Sequence, residues 1–187
     1  MSSRVCPWWI GYFLLCPFRR WSQDPIKILR PYVREGMSVL EPGPGMGFFT
    51  IPLAHLVGAS GRVVAVDVQP RMITALKRRA AKAQVLQRID ARVVPADTMA
   101  LNDLANQIDF TLAFAVVHEF RDPSRFFSEV AKVCKPQAQL LLAEPRGHVS
   151  AVRFQAELRA AESTGLKVAA QPEIPRSHAA LLIKDEK

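Results

Sequence analysis

The chain is poor in the residues that mark an extracellular or metal-bound protein. It has three cysteines in 187 residues, Cys6, Cys16 and Cys134. These are too few for a disulfide framework in a chain of this length. They form no Cys-x-x-Cys pair and have no histidine at ligand spacing, so no metal is expected, and reduced thiols in a cytoplasmic protein are the simplest account. Tyrosine is scarcer. Tyr12 and Tyr32 are followed four residues on by Cys16 and Gly36, so the chain has no Tyr-x-x-x-Lys pair. Internal repeats and low-complexity tracts are absent. The apolar N-terminal segment 5–18 is too short to span a bilayer as a helix, and it lacks the small-x-small cleavage site of a signal peptide.

Acidic residues are in deficit: 17 against 25 lysines and arginines, a net charge of +8. Much of the excess is local. Arg71, Lys77, Arg78, Arg79, Lys82, Arg88 and Arg92 have only Asp90 among them. A contact with RNA or an anionic membrane is one reading. No RNA-binding motif accompanies the run, and the solvated face of one surface helix is the reading preferred. Aromatic residues crowd the N-terminus instead, with Trp8, Trp9, Tyr12, Phe13 and Phe18. So many rings are expected to cover something: the core, the active site, a partner copy in a homo-oligomer, or a membrane surface.

Length fits one domain. The expected division is an aromatic arm or lid over residues 1–35 and a ligand-binding domain over 36–187. Elements alternate along the latter. Strands are expected at 38–41, 61–67, 91–94, 110–116 and 139–143. Helices are expected at 25–29, 47–56, 70–86, 99–106, 122–134 and 149–163, and a closing hairpin at 166–170 and 179–183. Strand-helix alternation implies a parallel sheet covered on both faces. The last two strands have no helix between them, so the final one should run antiparallel.

The densest signal is Val39-Leu40-Glu41-Pro42-Gly43-Pro44-Gly45-Met46-Gly47, an apolar strand ending on a carboxylate and then three alternate glycines. Glycines there let a ligand lie against bare backbone. Glu41 would repel a pyrophosphate and welcome a cationic amine or sugar hydroxyls. Phe48 stands where a dinucleotide fingerprint needs glycine or alanine, which argues against a nicotinamide-dependent oxidoreductase. Asp67 ends the second strand 20 residues past Gly47. It can accept ribose hydroxyls there, or cap the following helix.

This pattern resembles motif I of the class I S-adenosylmethionine-dependent methyltransferases, small-molecule type, with Glu41, Gly43, Gly45 and Gly47 matching position by position. The resemblance runs from about Leu29 to Leu182. It implies a three-layer α/β fold around a seven-stranded sheet ordered 3-2-1-4-5-7-6, with S-adenosylmethionine as cofactor and S-adenosylhomocysteine as product. It also implies that Glu41 helps hold the cofactor's ammonium group, that Val68 lines the adenine, and that Asp97, with Thr98 beside it, takes the adenine amino group. Asp97 also reads as a cap of the next short helix. Ala113, Phe114 and Ala115 would back the cofactor.

His118 and Glu119 follow the fourth strand. His118 reads equally as a general base or as a hydrogen-bonding wall, and Glu119 as catalytic or as a helix cap or ion pair. Glu144, Arg146 and His148 form a second polar cluster after the fifth strand, where Arg146 suits a substrate anion. With Trp8, Trp9 and Tyr12 as a lid, the acceptor is expected to be small and hydrophobic, quinone-like or lipid-like. The chain lacks an Asn-Pro-Pro-Tyr motif and a fourth-strand cysteine, which disfavours nucleic-acid methylation. A non-catalytic cofactor-binding scaffold or partner subunit is the alternative. Lys135-Pro136-Gln137-Ala138 departs from the Lys-Pro-Gly-Gly frequent in the family.

Overall fold

A computed structural model describes residues 23–186. The aromatic positions Trp8, Trp9 and Tyr12, and the thiols of Cys6 and Cys16, lie outside the described residues. The elements are α1 (Pro25–Leu29), β1 (Ser38–Pro42), α2 (Thr50–Leu56), β2 (Arg62–Asp67), α3 (Pro70–Lys82), β3 (Ile89–Val93), β4 (Ile108–Phe114), α4 (Pro123–Val133), β5 (Cys134–Pro145), α5 (Ala151–Glu162), β6 (Leu166–Ala170) and β7 (Ser177–Lys184). The seven strands form one sheet in the order β3-β2-β1-β4-β5-β7-β6. β7 runs antiparallel to both β5 and β6, as expected from the missing helix between the last two strands. Contacts divide the chain into two compact units, one ending at Asp97 and one running from Thr98 to the C-terminus.

In the first unit β1, β2 and β3 pair in parallel, with Ser38 opposite Arg62 and Val63 opposite Ile89. Val39, Leu40 and Val63–Val66 are buried, as a parallel strand covered on both faces requires. α3 packs on β2 and β3 through Met72, Ile73, Leu76 and Ala80, spaced to share one face. In the second unit β4 and β5 pair in parallel, and β5 pairs with β7 from Gln139–Ile183 to Pro145–Ser177. Pro123 opens α4, and the Asp122 carboxylate accepts from the amides of Ser124 (2.9 Å) and Arg125 (3.2 Å). This satisfies donors that a helix N-terminus leaves free.

Some element bounds differ from the sequence expectation for local reasons. Gly47 has φ of 87°, which no helical residue adopts, so α2 begins at Thr50 rather than at 47. Gln84 at φ 58° ends α3 four residues before Leu86. β4 stops at Phe114 because Ala115 turns out of the strand at φ 55°. Residues 99–106 hold only a short turn at Asn102–Leu104, preceded by Leu101 with no side-chain cap. The capping role considered for Asp97 is therefore not taken up. β5 is longer than expected and starts directly at Cys134, with an irregular register between Ile108–Cys134 and Phe110–Gln139.

Within that irregularity Gln137 sits at φ 64°, in the left-handed region that disfavours a Cβ by about 1–2 kcal/mol. Glycine there relieves the clash and loses about 0.5–1 kcal/mol to its larger unfolded-state freedom. Gln137→Gly is expected to leave stability unchanged or raise it by up to about 1 kcal/mol in a urea melt. A loss of more than that would mean the side chain contributes something its exposed position does not show.

Candidate functional site

In the first unit, two buried carboxyls stand at the carboxyl ends of β1 and β2. Glu41 is 4% exposed, and its Oε2 has no hydrogen-bond partner of ordinary geometry. Burial pushes its pKa up to about 8, moderated by the neighbouring Thr50 hydroxyl and raised further by the charge of Asp67. Asp67 accepts from the Gln69 amide at 2.8 Å. Burial raises it to about 6, against the lowering effect of amides from Gln69, Gly45 and Val68. Its bond goes to the residue preceding α3 and not to the helix's own free amides, so Asp67 is only loosely a cap. Both acids hold protons that the unfolded chain has lost. Their burial therefore weighs against folding increasingly as pH rises from about 4 towards 8.

The glycine turn lies between these acids in sequence. The Gly43 amide donates to Val66 O at 2.9 Å and the Gly47 amide to Pro44 O at 2.9 Å. A Cβ on Gly47 would stand 2.5 Å from Leu76 Cδ1, whereas one on Gly45 would meet nothing within 4 Å. Gly47 is thus needed for packing, and Gly45 borders open space. Arg79 of α3 donates to Met46 O and ties the turn down. Arg88 likewise donates to Ala54 O at 3.2 Å, and Arg92 pairs with Asp90. The basic run is therefore not merely a wet helix face, because two of its cations, Arg79 and Arg88, tie separate segments together.

In the second unit, Glu144 at the end of β5 is fully buried. Its Oε1 accepts from the Val117 (2.7 Å) and Val116 (3.2 Å) amides, and its Oε2 meets His118 Nδ1. Burial disfavours the imidazolium, but the hydrogen bond and charge of Glu144 and the charge of Glu119 outweigh it, with Arg153 opposing, and His118 is raised overall. A carboxylate on Nδ1 selects the tautomer that leaves Nε2 as the acceptor. Just past the strand leading there stands Ala115, strained at φ 55°, whose amide donates to Ala143 O at 2.7 Å. Strain of this kind persists where the surroundings hold it, and it clusters at functional sites. Glu144 is thus fully buried behind His118 with both oxygens engaged, whereas the sequence expectation placed it at the acceptor.

These placements can be set beside known proteins. The sequence profile described as a methyltransferase domain matches residues 33–177. The chain belongs to the methyltransferase-domain family. Relatives include an uncharacterized 37.1 kDa protein in transposon TN4556 of Streptomyces fradiae, 30% identical over 112 residues, 60% of this chain and 31% of the relative. Another is the ubiquinone/menaquinone biosynthesis C-methyltransferase UbiE of Hydrogenovibrio crunogenus, 25% identical over 126 residues, 67% of this chain and 48% of the relative. The chain thus spans about a third to a half of the length of these curated relatives. A SAM-dependent methyltransferase from Aquifex aeolicus superposes with a TM-score of 0.84 at 26% identity, covering 96% of this chain and 99% of that one.

The other expected positions of this methyltransferase-family chain differ in burial and in partners. Val68 is half-buried beside Asp67, and Asp97 is exposed. Ala113 and Phe114 are buried within β4, and Ala115 is partly open. Thr98 donates its hydroxyl to Glu129 Oε2 at 3.1 Å, where the Met99 amide also binds, so it anchors a loop to α4. Glu119 is half-buried near His118 and leaves the capping of α4 to Asp122. Arg146 and His148 are exposed. Arg146 Nε donates to Ser177 O at 3.1 Å, and the imidazoles of His148 and His118 lie 5.8 Å apart.

Sequence reasoning passed over two groups. Arg153 donates to the His118 carbonyl at 2.8 Å, and Glu157 is buried at 2% exposure. The signal for Glu157 was present: Phe154, Leu158 and Ala161 mark the buried stripe of α5, and position 157 falls on it.

The donor set of the first unit fits S-adenosylmethionine. An unpartnered buried carboxyl oxygen suits an ammonium, a second carboxyl suits a ribose diol, and a glycine without a Cβ leaves the intervening space open. Gly45→Ala, strained by about 1 kcal/mol but free of clash, should stay folded and lose S-adenosylhomocysteine affinity at least tenfold by calorimetry. Gly47→Ala should instead lower the melting temperature of the ligand-free protein by several degrees. The reverse assignment of the two effects would overturn this account of the turn.

Proposed function

We propose that the protein transfers the methyl group of S-adenosylmethionine to a small, ring-hydroxyl acceptor of hydroquinone type. The observation carrying this reading is the buried, unpartnered Glu41 Oε2 beside the glycine turn, a site that asks for a cation. The quinone-biosynthesis C-methyltransferases among the relatives support the acceptor class. When bound, the cofactor supplies an already activated methyl group. The protein's tasks are then to hold, orient and deprotonate.

Glu41 would ionise to hold the ammonium, and Asp67 would accept from the ribose hydroxyls. Gly45 would allow the close approach of backbone and ligand. His118, held through Nδ1 by Glu144, would take the acceptor's hydroxyl proton on Nε2 and so make it a better nucleophile. A groove of about 540 Å³ in the second unit is lined by Arg146, Phe154, Arg176 and His178 among others. Its floor includes the stacked rings of Phe154 and His178, 5.4 Å apart. Two guanidinium groups against one carboxylate, Glu173, beside aromatic faces favour a flat acceptor on which negative charge develops as its proton leaves. Removing water and aligning the reacting atoms supply much of the remaining acceleration.

His118→Asn is expected to lower kcat with a naphthohydroquinone acceptor by about 10²-fold or more. Its dissociation constant for S-adenosylhomocysteine should stay within threefold of the parent. Equal loss of both would make His118 a structural wall, and unchanged turnover would remove it from the chemistry.

A further inference from the structure

Glu157 has no assigned part in the chemistry above, yet its setting is unusual. It occupies the apolar stripe of α5 between Phe154 and Ala161, where a leucine would be ordinary. Neither carboxyl oxygen has a hydrogen-bond partner, although both are shielded from solvent. A buried carboxyl without partners is costly to keep. Its nearest cation is Arg153, one turn earlier, with Nε 3.5 Å from Oε1. That same guanidinium donates through Nη2 to the carbonyl oxygen of His118. Glu157 also interacts electrostatically with Glu144 and with His118 itself. Three ionisable groups therefore share one interior, Glu144, Glu157 and the largely buried His118, with the half-exposed Arg153 at its edge.

The arrangement has an electrostatic logic: an ionised Glu157 near His118 favours the imidazolium, and a protonated one does not. We propose that Glu157 is a positioning and tuning residue for His118, setting through this shared interior how readily the imidazole takes up a proton. It acts without touching the acceptor. The proposal rests on the reading of His118 as the base.

Burial pushes Glu157 up to about 7, with Glu144 raising it further and Arg153 and His118 opposing, so its charge changes in the range where an imidazole works. The other groups facing His118 are Glu119 on its own turn and His148 from the segment between β5 and α5. The remaining charges facing Glu157 are Glu144 on β5 and Arg153 on α5.

The test is an NMR titration of the four histidines from pH 5 to 9, with His118 assigned by its absence in His118→Asn. Glu157→Gln removes the charge and keeps the shape. It is expected to lower the His118 midpoint by about 0.5–1 pH unit, leave His55 unmoved, and shift the acidic limb of the pH–rate profile by the same amount. If Glu157→Gln does not fold, Glu157→Met fills the stripe with an apolar chain and reads the same shift. A His118 midpoint unchanged in a folded variant overturns the proposal and makes Glu157 a structural carboxyl. Failure of the base reading shows differently: the midpoint moves, but His118→Asn leaves turnover intact.

Discussion

The cost of taking a carboxylate out of water organises both halves of this protein. Glu41 ends β1 inside the fold with one oxygen unpartnered. A free-energy cost of this kind is retained only where a ligand repays it on binding, or where it tunes neighbouring groups. The details around it are consistent with the first case. Gly47 lets the turn pack on Leu76, Gly45 keeps space open, and Arg79 pins the loop from α3. Asp67 adds a second carboxyl whose pKa burial has also raised. Together they place two carboxyls at neighbouring strand ends, of which Glu41 is raised further, to about 8, and Asp67 to about 6.

The second unit handles one of its buried acids in the opposite way. Glu144 is as deeply buried as any group in the fold, but it accepts two amides and meets an imidazole, so both of its oxygens are engaged. The strained Ala115 places those amides where the carboxylate needs them. One acid thus fixes the direction of His118, and a second, Glu157, lies close enough to feel its charge. One unit holds a buried carboxyl with an unpartnered oxygen, and the other holds an imidazole fixed through Nδ1 and a groove lined by Arg146, Arg176, Phe154 and His178 among others.

Much of this was legible in the amino-acid order because it depends on short spacings. The run from Val39 to Gly47 showed strand, acid and turn together, and Asp67 followed at the next strand end. The closing hairpin without a helix led to the antiparallel β7. What was not legible depended on long-range partners. Glu144 looked like a surface acid beside Arg146 and proved to face inward, because its partners, the amides of Val116 and Val117, lie 28 and 27 residues away. Arg79, Arg88 and Arg92 looked like solvated charge, but their acceptors are backbone carbonyls on other elements and one nearby acid. Left-handed residues without glycine, Gln84 and Ala115, moved element ends that composition alone placed later.

The central claim is that Glu41 awaits a cation and gives up its proton when one binds. It is tested most directly by calorimetric titration with S-adenosylhomocysteine at pH 7 in two buffers of different ionisation enthalpy. A carboxyl whose pKa is raised to about 8 in the empty site is mostly protonated at that pH, and an ammonium beside it drives ionisation. The account predicts micromolar binding with release of about one proton per site, and loss of that release in Glu41→Gln. A folded protein that does not bind, or that binds with no proton released, would contradict it.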